Sequence, residues 1–83
     1  MKKKNYLVCF DIEKQENLQL LRASDMHFKT KKHAGKITMK ILWLLGVSEV
    51  ADKFHFGIVL DKKYTFTVGE KVINFVMKSY ELE

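Results

Sequence analysis

Lys36-Ile37-Thr38-Met39-Lys40-Ile41-Leu42-Trp43-Leu44-Leu45 is the stretch on which the fold turns. Taken as a strand, it places Ile37, Met39, Ile41, Trp43 and Leu45 on one face, because side chains alternate at period two. Taken as a helix, it must spread the five successive apolar residues Ile41 to Leu45 around the axis, and they cannot share one side. The spacing favours a strand, largely buried at its end. A hairpin with the loop Lys31 to Gly35 would join it to Met26-His27-Phe28-Lys29-Thr30, with Gly35 available for a positive φ.

Outward from this stretch, β signals recur. Tyr6, Val8, Phe10 and Ile12 are apolar at period two, Lys14-Gln15-Glu16-Asn17 reads as a turn, and Leu18 to Ala23 reads as the return strand of a first hairpin. Phe54, Phe56, Ile58 and Leu60 alternate with His55, Gly57 and Val59. Asp61-Lys62-Lys63 then breaks the run before Tyr64, Phe66 and Val68, which predicts a second hairpin. Gly69 suits a tight turn or a helix start. Over residues 71–83 the strand face Ile73, Phe75 and Met77 competes with the helical contacts Val72, Val76 and Tyr80, and the strand is preferred. Ser48 as an N-cap, with Glu49 and Asp52 in the first turn, predicts a short connecting helix over 48–53. A Leu-Gly-Val-Ser turn also occurs in helix-turn-helix units, but here acidic side chains would face the phosphates. The expected fold is mainly β, a β-rich α+β arrangement. It is a small antiparallel barrel or curled sheet of five or six strands, with one short helix and a C-terminal helix as the alternative for the last segment.

The totals bound the rest. At 83 residues the chain is below the usual domain size of roughly 100 to 150 residues, so residues 1–83 are read as a single domain with one core. Its 47% apolar and 30% charged residues match a folded protein rather than a disordered one. The single Cys9 rules out an internal disulfide and points to a reducing, cytoplasmic setting. Within the run Tyr6 to Ile12 it reads as a buried, inert thiol. The apolar run after Met1-Lys2-Lys3-Lys4 ends too early for a signal peptide, and no run is long enough to span a bilayer, so no membrane association is expected. His27, His33 and His55 lack ligand spacing, and Gly35, Gly46, Gly57 and Gly69 begin no phosphate-cradling motif, so neither a metal nor another cofactor is expected. Homo-oligomerisation is the obvious way to thicken so thin a core.

Fifteen basic residues against 10 acidic ones give a net charge of +5, and Arg22 is the only arginine. As a total this excess is also what an AT-rich coding sequence would produce. Its distribution says more, because a binding footprint should be local. From His27 to Lys40 no acidic residue occurs. Lys29, Lys31, Lys32, His33, Lys36 and Lys40 in this window form the candidate nucleic-acid-binding site, with Lys2 to Lys4 as a supporting arm. Phe28 and Tyr64 are the candidate stacking residues, whereas Trp43 reads as core.

The first functional expectation is thus a small non-enzymatic protein that holds phosphate backbones on a lysine-rich hairpin. The second is an adaptor or inhibitor that binds a partner protein through a sheet edge or a hydrophobic patch. A minor alternative is a metal-dependent nuclease using Asp52, Asp61 and Lys63 to hold a divalent ion and orient water. Ser24-Asp25-Met26-His27 reads as a surface pair rather than a catalytic group.

Overall fold

The computed structural model describes residues 3–48, 54 and 57–82. In chain order the elements are β1 (Lys3–Lys14), β2 (Leu20–Phe28), α1 (Lys31–Leu44), β3 (Tyr64–Val68) and β4 (Lys71–Leu82). The strands form one open antiparallel sheet in the order β2-β1-β4-β3. Among the described residues the fold is therefore mainly β with one helix. Four strands, rather than five or six, make the sheet among the described residues, and β2 and β3 lie at its edges instead of closing a barrel.

The period-two pattern of the outer segments does what it predicts. Val8 and Phe10 of β1 are buried, and the register sets them beside Met77 and Phe75 of β4. Tyr64 and Phe66 of β3 join the same face opposite Phe75 and Ile73. Four aromatic rings gather round Phe75: Tyr64 stacks on it at 5.0 Å, Phe10 lies 5.3 Å away, Phe54 5.9 Å and Phe66 6.3 Å. The β1–β2 turn is closed by Leu18 at φ 55, whose N–H donates to the Lys14 carbonyl, while Asn17 Oδ1 accepts from the Gln19 N–H. A register shift at Ile12/Glu13 bulges β2 at its start.

The stretch 36–45 is the main correction, since it belongs to α1 and not to a strand. Thr30, which was expected in a hairpin strand, caps the helix: its backbone is extended and its hydroxyl accepts from the His33 N–H. Ala34, Thr38 and Leu42, spaced by four, are fully buried against the sheet. The strand expectation rests on burying the five consecutive apolar residues Ile41 to Leu45 together, which one side of a helix cannot do. They are not buried together: Leu42 is buried, Ile41 and Leu45 are half-buried, and Trp43 and Leu44 remain 69% and 67% exposed.

The second expected hairpin also differs. Phe54 lies in a turn, 57–59 is irregular, and positive φ at Gly57 and Asp61 interrupts the extended path. Phe54 and Ile58 still reach the core. This irregular chain is tied down by Val59 N–H donating to the Tyr64 hydroxyl and by Asp61 N–H donating to the Met77 carbonyl. β3 instead forms its hairpin with β4 through Gly69, at φ 59. Residues 71–82 are a strand, as preferred, and not a C-terminal helix. The connecting helix expected over 48–53 falls, beyond Ser48, outside the described residues, and Ser48 itself lies in a turn.

Thr38 Oγ1 is buried beneath α1 and has no hydrogen-bond partner among the described residues. Leaving a hydroxyl unpaired in an apolar setting costs free energy that an isosteric methyl group avoids. Thr38→Val is accordingly expected to raise stability by about 1 kcal/mol in urea denaturation. A loss of stability would mean that the hydroxyl is satisfied in solution.

Candidate functional site

The helix changes the shape of the expected basic site. With about 100° per residue, Lys32, Lys36, Lys40 and Trp43 fall within an arc of roughly 80°. That arc lies opposite the buried Ala34, Thr38 and Leu42, and all four of its residues are exposed. Along the axis, Lys32, Lys36 and Lys40 are spaced by about 6 Å. Among the described residues no carboxylate lies within ion-pair distance of these lysines; the Lys14–Glu16 pair, at 3.8 Å, belongs to the β1–β2 turn. The first turn of α1 carries Lys31 and Lys32 and no acidic residue. Cations at the positive end of a helix macrodipole are unfavourable there, and an anion bound at that end would relieve them.

The remaining candidate residues divide. Lys31 borders a groove between α1 and the residues Phe54, Gly57 and Ile58, together with Lys32 and Lys36. Lys29, just before the helix, sits at the far end of the sheet beside Lys3 and Lys4, which belong to β1 instead of a free arm. Lys2 lies outside the described residues. His33 is exposed, and its ring meets Phe28 edge-on at 5.3 Å. The hairpin tip is thus replaced by one helical face, one groove rim and a separate basic end.

The stacking candidates change places. Tyr64 is 6% exposed, accepts the hydrogen bond from Val59 and lies on Phe75, so it is core. Phe28 is half-buried against His33. Trp43, which the strand reading assigned to the core, is the exposed aromatic at the end of the lysine stripe. A helical reading would have found it, because Lys32, Lys36, Lys40 and Trp43 follow i, i+4, i+8, i+11 spacing.

The opposite face of the sheet is mixed in charge. His27 does not pair with Asp25: its Nδ1 shares a hydrogen bond of 2.8 Å with the Tyr80 hydroxyl. Asp25 stands across from Cys9 in the β1–β2 register. Burial, then the hydrogen bond to Asp25 and its negative charge, push the Cys9 thiol above its ordinary pKa, against the smaller opposing pull of Lys78. A raised pKa leaves less thiolate at neutral pH, so labelling of Cys9 by a thiol reagent is expected to be slow at pH 7 and to accelerate only above the usual thiol range. Asp25→Asn removes the charge that favours the protonated form, so labelling should become faster. Unchanged rates in that variant would contradict the assignment.

Asp61 and Lys63 border a shallow groove with Asp11 and Lys78. Asp52, the other carboxylate of the nuclease reading, lies outside the described residues. Among the described residues no three of His, Cys, Asp and Glu gather where they could hold a metal ion. Among them, too, no helix is long and apolar enough to cross a membrane. Comparison with protein-family models, with curated proteins and with solved structures returns no match, so the reading of this site rests on its own chemistry.

Proposed function

We propose that this protein binds nucleic acid through the phosphate backbone, using the exposed face of α1. The observation that carries this reading is the stripe Lys32, Lys36 and Lys40 ending at the exposed Trp43, on a helix with no acidic residue. Lysines on one face neutralise successive phosphates and release counterions, and an indole can stack on a base without demanding a sequence. Lysine rather than arginine supplies the charge, which suits point-charge contact more than bidentate base readout. Binding should therefore be sequence-tolerant and steeply weakened by salt. A mobility-shift titration with single-stranded and duplex probes at low and moderate salt tests it: a shift that fades as salt rises supports the proposal, and no shift at low salt ends it.

A second reading, a partner protein held at the β2 edge, is favoured by a separate observation. Leu20 and Leu21 are 56% and 50% exposed on that strand. Phe10, Ile12, Met26, Ile41 and Leu45, with Arg22 and Ser24, line a mostly apolar cleft of about 250 Å³ between the sheet and α1. A second copy of the chain or another protein could cover this edge by strand addition. Pull-down from lysate with and without nuclease treatment separates the readings. Nuclease-sensitive recovery supports nucleic acid, and nuclease-resistant recovery lost on Leu21→Asp supports the edge.

A further inference from the structure

The groove between α1 and the residues Phe54, Gly57 and Ile58 has a volume of about 480 Å³, within the range of roughly 300 to 1,000 Å³ usual for ligand sites. Its floor is apolar, made by Met39, Phe54, Ile58 and Met77. Its rim carries Lys31, Lys32 and Lys36, and no carboxylate lines it among the described residues. An apolar floor under three cations is complementary to a flat apolar group attached to phosphates.

Two glycines keep this groove open. Gly35 lies inside α1, where glycine is the poorest helix former after proline, and a Cβ built there would meet nothing within 4 Å. No packing demand explains the missing side chain. Gly57 needs its positive φ of 94° for the turn, yet a Cβ there also meets open space. Both positions line the groove, so side chains at either would narrow it.

We infer that the groove seats one unstacked base of a single-stranded nucleic acid, while Lys31, Lys32 and Lys36 hold the phosphates on either side. This rests on the phosphate-binding reading above and deepens it by naming the strand state. A duplex keeps its bases stacked and could not fill the groove, whereas a single strand can turn one out. Lys32 and Lys36 belong both to the rim and to the outer stripe, so the backbone leaving the groove continues towards Lys40 and Trp43.

The test compares a short labelled oligothymidine with an abasic strand of the same phosphate number, by fluorescence anisotropy at low salt. Wild type should bind the base-bearing strand about tenfold more tightly, the effect of seating one base. Gly35→Leu, which fills the groove and improves helix propensity, should cut that preference to the part supplied by stacking on Trp43, while leaving abasic affinity and its salt dependence unchanged. Gly35→Ala, the smaller change, should reduce it in part, and circular dichroism verifies that both variants are folded. Equal affinity of wild type for the two strands overturns the base seat but leaves phosphate binding standing. A preference undiminished in both folded variants overturns the location. Absence of binding to either strand overturns the phosphate reading and this inference with it.

Discussion

Phe75→Ala is expected to lower stability by about 3 to 5 kcal/mol. The ring is 1% exposed and stands at the centre of the aromatic cluster, in contact range of rings from β1, β3 and the irregular segment at Phe54. Truncation removes the buried area and leaves a cavity that three separate elements would have to collapse around. A chain of 83 residues has only about 4 to 12 kcal/mol to lose at typical stability per residue. The variant should therefore be marginal or unfolded at room temperature. Urea denaturation followed by far-ultraviolet circular dichroism measures this, with Leu44→Ala, at an exposed position, as the control that should change little. A loss below about 1 kcal/mol would mean that Phe75 is not the centre of the core.

The second large effect concerns binding. Replacing Lys32, Lys36 and Lys40 together by alanine should reduce the slope of log affinity against log salt by about 2 on single-stranded probes. Affinity at low salt should fall by orders of magnitude. Alanine is a better helix former than lysine, and these side chains do not pack into the core, so the fold should survive. Trp43 is the only tryptophan and lies on the same arc, so its emission gives a direct binding signal. An unchanged slope, with the helix intact, would mean that phosphates are not held by this face.

The two predictions draw on parts of the chain that were unequally legible. The strands around Phe75 could be placed from sequence because alternation in Tyr6–Ile12 and Tyr64–Val68 has one simple solution, a strand with one buried face, whereas residues 71–83 satisfied a helix as well and only the preference for a strand put Phe75 in the sheet. The lysines could be found as residues, since the absence of acidic groups between His27 and Lys40 is visible without a structure. Their arrangement could not. It depends on whether 31–44 is helix or strand, and a short apolar run satisfies both templates. Gly35 illustrates the difficulty: it was a natural hairpin residue by propensity, yet it sits inside a helix that tertiary packing holds together.

Phe54 and Ile58 were recognisable as buried but not as irregular, because hydrophobicity reports burial and not backbone path. The turn at Gly57 and the bond from Asp61 N–H to the Met77 carbonyl set that path. By itself, then, the sequence determined that Tyr6–Ile12 and Tyr64–Val68 are strands with one buried face, and where cations accumulate without counter-charge; that β4 pairs with both β1 and β3 was left to the tertiary structure. Only the tertiary structure decided that residues 31–44 wind into a helix. One face of β1 and β2 had to be covered, and Ala34, Thr38 and Leu42 cover it at a spacing of four with Thr30 closing the first turn. That choice turned the lysines from a hairpin tip into a helical stripe and brought Trp43 out of the core to its end.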